Sequence, residues 1–390
     1  MKNSETILNA AIREEVIQWR RFLHQNPELS FEEENTSQFV FDTLQSIDGL
    51  VLERPTKTSV VARLIGTQPG KVLAMRADMD ALPIQEENRC EYTSKKAGVM
   101  HACGHDAHTA MLLGAAKILS QWKDQLKGEI RFIFQHAEEL HPGGAQEMVK
   151  AGVIDGVDQI IGIHLMSTIP IGQISVRTGP VTANSDRFDI TIQGKGGHAS
   201  QPEESIDPIA IASQVIGNLQ HIVSRNVNPL EQLVITITQF HGGSAYNIIP
   251  DTVELAGTVR SFQPEVRQQA TTLIDQIVKG VTAAHGASYQ FDYRRGYSSV
   301  VNNPEVAKLM EETVVKTFGE EWLADLPPAM GGEDFSAFAE KVPACFVFVG
   351  AGNEEKGIIY PHHHPRFDID EDALEHGVKL FVQAAINLST

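Results

Sequence analysis

The sequence predicts an α/β protein: a catalytic domain with a largely parallel sheet flanked by helices, plus an inserted ferredoxin-like α+β domain. Three observations lead there. Over the first third, unbroken apolar β-branched runs alternate with helical stretches, as strands buried on both faces of a parallel sheet require. From about 182 the pattern changes to a strictly alternating strand opening the order βαββαβ. Near residue 296 the helix and strand pattern of the first part resumes. At 390 residues the chain is long enough for two domains. The expected division is 1–181 and 296–390 for the catalytic domain and 182–295 for the insertion, hinged at Gly179-Pro180 and Gly296.

Taken in order, the spacing predicts a helix over 12–23 and a strand over 59–65 that stops at Gly66. A second strand over 71–78 is apolar until it reaches acid, a helix covers 109–119, and a strand covers 129–135. A short helix over 144–150 precedes a strand over 159–164. In the insertion, the alternation over 186–193 puts Phe188, Ile190 and Ile192 on one face. A helix over 206–223, strands over 233–240 and 252–262, a helix over 265–284 and a strand over 288–293 complete it. The remainder reads as helix over 304–318, strand over 344–349 and helix over 372–388.

Composition excludes several classes. Hydrophobic residues at 42% with 21% charged give a globular balance, not a disordered one. The 32 basic against 50 acidic residues leave a net charge of −18, which argues against nucleic acid as partner. No stretch approaches a membrane span, and Met1-Lys2-Asn3-Ser4-Glu5 lacks the apolar run of a signal peptide. Three cysteines do not make a disulfide framework, so a cytoplasmic location is expected.

Histidine is distributed unevenly. Nine of the 15 fall within 101–108, 136–164 and 362–364. Cys103 and His105, in Met100-His101-Ala102-Cys103-Gly104-His105, are zinc-type ligands on what reads as a loop before the helix at Thr109. Glu138-Glu139 follows a strand; one carboxylate can hold metal while the other accepts a proton from water. Asp78 and Asp80, at i and i+2, share a face, so either both approach metal or one orients a ligand imidazole. His164 ends another strand, and His362-His363-His364 offers one distant ligand. Three strands thus deliver metal-capable side chains to one rim of the sheet, where such sheets bind ligands. Gly194-Lys195-Gly196-Gly197-His198 lacks the spacing of a phosphate loop.

These motifs resemble a known family. Asp78-Met79-Asp80-Ala81-Leu82-Pro83, His101 to His108, Gln135-His136-Ala137-Glu138-Glu139, Gly196-Gly197-His198-Ala199-Ser200, Asn247-Ile248-Ile249-Pro250, Gly331-Gly332-Glu333-Asp334-Phe335 and His363-His364-Pro365 occur in that order. Nearly end to end, the chain resembles the M20 metallopeptidases, specifically the amidohydrolase branch with hippurate hydrolases, N-acetyl-diaminopimelate deacetylases and auxin-conjugate hydrolases. The resemblance implies two divalent metal ions per subunit, manganese or zinc, with cobalt or nickel also compatible. Its ligands would be Cys103, bridging the ions, with His105, Glu139, His164 and His363. Glu138 would be the general base, with Asp80 orienting a ligand from behind. The insertion would act as lid and dimerisation surface of a homodimer, His198 reaching the partner's site to stabilise the oxyanion, with Asn247 and Arg260 near the substrate. His136 stands where the family commonly has Pro and is read as a bystander.

The expected activity is metal-dependent hydrolysis of linear amide bonds in N-acyl amino acids, aminoacylase-like. The rivals are a dipeptidase or aminopeptidase on the same scaffold, a mononuclear zinc deacetylase, and a non-catalytic metal-binding scaffold protein.

Overall fold

The computed structural model describes residues 8–388; residues 1–5, read above as lacking an apolar leader, lie outside them. The chain forms two compact units, Met1–Val181 with Val300–Pro327 and Asp334–Thr390, and Thr182–Ser299 with Pro328–Glu333. The second unit therefore runs past the expected limit of 295 and takes a short later segment with it. The reason is backbone pairing: Ser185 N–H donates to the Tyr297 carbonyl, and Ala183 N–H to the carbonyls of Ala329 and Gly331.

The first unit is built on a seven-stranded sheet in the order Leu50–Glu53, Val60–Ile65, Lys127–Gln135, Gln68–Asp78, Gln159–Pro170, Ala344–Gly352, Ile174–Ser175. The four strands from Lys127–Gln135 to Ala344–Gly352 are parallel, and the strands outside them pair antiparallel. All of Ala344–Gly352 and the last seven residues of Lys127–Gln135 are buried, so helices cover both faces. The helix His105–Ser120 is buried on nearly every side, as a central core helix must be. It starts four residues before the expected Thr109, directly after Gly104.

Flanking helices carry clear start signals. Asn9 caps Ala10–Gln25 by accepting the Ile12 N–H, and Asn303 caps Pro304–Phe318 with proline at the first helical position. The helix Glu34–Gln45 has no counterpart in the sequence expectation, because two of its four buried positions are Thr36 and Ser37, which hide the apolar period.

The second unit is a four-stranded antiparallel sheet in the order Leu233–Gly242, Thr252–Ser261, Asp186–Gln193, Ser288–Arg294. Phe188, Ile190 and Ile192 point into one core with Ile211, Val215 and Leu219 of helix Pro208–His221 and Ile274 and Val278 of helix Pro264–Ala284. Among the described residues no helix is long and apolar enough to cross a membrane.

Candidate metal centre

Ladder register sets the level of the site. Asp78 pairs with Gln135, so the strands Gln68–Asp78 and Lys127–Gln135 end together, and the turns beyond them carry Asp80 and Glu138-Glu139 side by side. The Asp80 carboxylate accepts the N–H of Glu138 at Oδ1 and of Glu139 at Oδ2, each at 3.0 Å. Glu138 and Glu139 are thus held on a turn past the strand, not on opposite faces of it. Ala137, at φ 50°, bends the chain there, and its N–H donates to Glu33 Oε1 at 2.8 Å. Gly144 backs the turn from 2.9 Å, N–H to Ala137 carbonyl; any Cβ there would lie 2.0 Å from the His136 carbonyl oxygen. Gly104, at φ +91°, ends the loop holding Cys103 and lets the helix begin at His105.

Hydrogen bonding sorts four imidazoles near Cys103 into two kinds. His105 Nδ1 donates to the Asp80 carbonyl at 2.9 Å and His164 Nδ1 to the Leu165 carbonyl at 2.8 Å. Both rings therefore turn Nε2 toward the thiol, and His164 Nε2 lies 3.6 Å from Cys103 Sγ. His108 and His362 are the reverse. Their Nε2 atoms accept the N–H of Leu165 at 2.9 Å and of Ser167 at 3.2 Å, so the proton sits on Nδ1. His108 Nδ1 gives it to Asp78 Oδ1 at 2.7 Å.

The residues suit a divalent cation. Nε2 of His105 and Oε1 of Glu139 are buried without a hydrogen bond, and they lie 4.0 Å apart. His363 Nε2 approaches the same Glu139 oxygen to 3.1 Å. Ligand atoms of Cys103, His105 and Glu139 lie within 4.8 Å of one another, as do those of Cys103, His164 and His362, so the thiol belongs to both groups. Thiolate, imidazole and carboxylate together fit zinc, manganese, cobalt or nickel.

The local potential is negative. Burial alone would lower His105, yet Asp78, then Asp80 and Glu139, raise it to about 10. Burial pushes the Cys103 thiol well above its ordinary value, and Glu139, Glu138 and Asp78 add to the effect. Burial also opposes the Asp78 carboxylate, but Arg76, His105 and His108 together outweigh it and hold Asp78 well below the usual range. Arg76 Nη1 lies 2.6 Å from Asp78 Oδ2, and its remaining nitrogens reach Gln135 and Asp334. Burial keeps His164 and His362 neutral, His362 falling to about 3.

The structure thus brings together Cys103, His105, Glu138, Glu139, His164, His363 and Asp80. Of the three consecutive histidines, His362 is half-buried beside Cys103 rather than exposed, and His364 stacks on Tyr360. His136 is buried and bonded to Glu147 at 2.8 Å. Sequence reasoning missed Glu33, Ser30, His108 and His362. His108 had a signal in its i+3 spacing from His105, and His362 in the run of three histidines; Glu33 and Ser30 had none.

His198, Asn247 and Arg260 belong to the second unit. The pairing of Gly197–His198 with Ile248–Ile249 sets Asn247 beside His198, and Ala199 N–H donates to the Asn247 carbonyl at 3.1 Å. Ser200 N–H donates to His198 Nδ1 at 3.2 Å, which leaves Nε2–H on this exposed ring as a donor. Arg260 is half-buried, with Nη1 donating to the carbonyls of Asp186 and Val259.

Comparison with known proteins places the chain. The family model described as peptidase family M20/M25/M40 matches residues 74–387. The N-acyl-L-amino acid amidohydrolase of Geobacillus stearothermophilus is 61% identical over 294 residues, 75% of this chain and 80% of that protein. The N-acetylcysteine deacetylase of Bacillus subtilis (strain 168) is 42% identical over 377 residues, 96% of this chain and 97% of that protein. The crystal structure of Bacillus subtilis YXEP protein, titled a dinuclear metal binding peptidase from the M20 family, superposes with a TM-score of 0.87. It is 37% identical and covers 98% of this chain and 99% of its own. With a family model matching well over half its length and relatives this similar from end to end, the chain belongs to peptidase family M20/M25/M40.

Proposed function

We propose that this protein is a binuclear-metal amidohydrolase that cleaves the amide bond of N-acyl amino acids. The observation that carries the reading is the convergence of unsatisfied donor atoms, His105 Nε2 and Glu139 Oε1, on a thiol shared by two potential cation positions, with Glu138 held on the same turn. The names of the Geobacillus and Bacillus relatives supply the substrate class.

Cys103, His105, Glu139, His164 and His363 would hold the two ions, the thiol being shared between the two groups of ligand atoms. When bound, divalent ions would supply polarisation of the amide carbonyl and a lowered pKa for water. Glu138 takes the proton of the attacking water and delivers it to the amine nitrogen as the C–N bond breaks. Asp80 holds the turn that carries this base and orients His105. His198 offers its Nε2–H to the oxyanion of the tetrahedral intermediate. Asn247 and Arg260 bind the substrate, the guanidinium meeting its carboxylate.

The second unit serves as lid and dimerisation surface, so that His198 of one subunit acts in its partner's centre. Sheet order leaves Leu233–Gly242 at an edge with Val234 and Phe240 exposed, which suits pairing with a copy of itself. Manganese or zinc is the native metal, and the three free cysteines agree with a cytoplasmic protein.

Glu138→Gln tests the mechanism. It should retain metal while losing ~10²–10⁴-fold in turnover of N-acetyl amino acids. Full activity in that variant would sink the assignment of the base. A dipeptide panel run beside N-acyl amino acids separates the amidase from a peptidase on the same scaffold.

A further inference from the structure

His362 occupies a position where another metal ligand would be expected. Its Nδ1 lies 3.6 Å from Cys103 Sγ, and its ring centroid is 5.2 Å from that of His164. By distance alone it joins Cys103 and His164 in one potential cation group. The backbone decides otherwise. Ser167 N–H donates to His362 Nε2, and a ring nitrogen that accepts carries no proton. The proton must then sit on Nδ1, the atom facing sulfur, and a protonated nitrogen has no lone pair for a metal.

The arrangement is rigid. Ser167 Oγ also donates to the Tyr360 carbonyl at 2.8 Å, and His363 N–H donates to the Ala102 carbonyl at 2.8 Å, so the 360–363 segment is pinned from two sides. Phe367 packs on the His362 ring with centroids 4.9 Å apart. Two residues earlier on the same strand, Leu165 N–H fixes His108 in the same way, and His108 spends its Nδ1–H on Asp78. Sheet pairing with Gln68–Asp78 ends at Arg76 opposite Gly162, and past that pair imidazoles accept from these two amides.

We propose that His362 is not a metal ligand but the hydrogen-bond donor to the Cys103 sulfur, orienting the thiolate and weakening its electron donation to the ions it bridges. The inference rests on the reading of Cys103 as a ligand. It makes His362 a positioning residue that tunes the strength of metal–sulfur bonding.

Two measurements test it. In the zinc-loaded wild-type protein, ¹⁵N NMR of labelled histidine should show His362 protonated at Nδ1 and bare at Nε2; a proton on Nε2, or zinc on Nδ1, overturns the inference. In the cobalt-substituted protein, His362→Leu should keep two ions per chain and move the thiolate-to-cobalt charge-transfer band to lower energy. His362→Asn, whose side-chain amide can donate from near the Nδ1 position, should move the band back. Loss of one ion per chain in His362→Leu, or an unshifted band, refutes the proposal. A wild-type cobalt spectrum with no thiolate band would instead refute Cys103 as a ligand, a failure distinct from an unshifted band.

Discussion

Replacing Asp80 by Asn removes little volume but disturbs the clamp on the backbone N–H groups of Glu138 and Glu139. The carboxylate accepts two backbone N–H groups, one on each oxygen at 3.0 Å, and the Ser30 hydroxyl at 2.6 Å on Oδ2. Asparagine has one acceptor oxygen. If that oxygen keeps the Glu138 N–H, the amide nitrogen opposes the Glu139 N–H, donor against donor. Ser30 can rotate to accept; the Glu139 N–H cannot. One charge-assisted hydrogen bond is lost, worth about 1.5–3 kcal/mol, and the other weakens as the charge goes, for a total of about 2–4 kcal/mol. Urea denaturation of the metal-free protein reads this loss. Tryptophan fluorescence is the suitable probe, because Trp19, Trp122 and Trp322 all lie in the first unit. Turnover should fall at least ~10-fold if the turn positions Glu138 as the proposed base. Ser30→Ala, which leaves both amides satisfied, should cost only about 1 kcal/mol. An Asp80→Asn protein as stable and as active as wild type would show that Asp80 does not hold the turn.

Two further outcomes follow from the same geometry. Burial, then the Asp80 carboxylate, pushes the Glu33 carboxyl up to about 7 from an ordinary 4.5. Its folded pKa is the higher one, so it destabilises nothing below pH ~4.5 and costs the metal-free fold roughly 3 kcal/mol above pH ~7. Glu33→Gln, which keeps an acceptor for Ala137 and Phe31, should therefore gain stability over wild type as pH rises from 5 to 8; a difference that stays constant with pH contradicts this. Gly104→Ala forces a side chain into φ +91°, and at ~1–2 kcal/mol of strain it should lower the thermal midpoint of the first unit, visible by calorimetry. An unchanged midpoint would mean that the loop relaxes out of the left-handed region.

Much of the architecture was legible because burial on both faces of a strand leaves an unmistakable apolar run, as in Ala344–Gly352. Helix Glu34–Gln45 escaped because its core face uses hydroxyls. The segment 328–333 escaped because its place in the second unit is set by backbone hydrogen bonds, which no residue type announces. At the site, sequence identified the kinds of donor but not their protonation. His105 and His362 are the same residue type, yet one has a carbonyl opposite Nδ1 and the other an amide opposite Nε2. Glu138-Glu139 was read as following a strand with its two carboxylates in separate roles, but the direction of the pair is set by Asp80 and the bend at Ala137. Partners so remote in the chain can be seen only after folding.

If the proposed function holds, Cys103 joins two cations whose other ligands come from distant parts of the chain. Anomalous diffraction from crystals of the metal-loaded protein tests it most directly. Two peaks per chain are expected, both bonded to Cys103 Sγ, with His105, Glu139, His164 and His363 at ~2.0–2.3 Å from one or other ion. A single peak, or two peaks with the Cys103 sulfur bonded to neither, would contradict it.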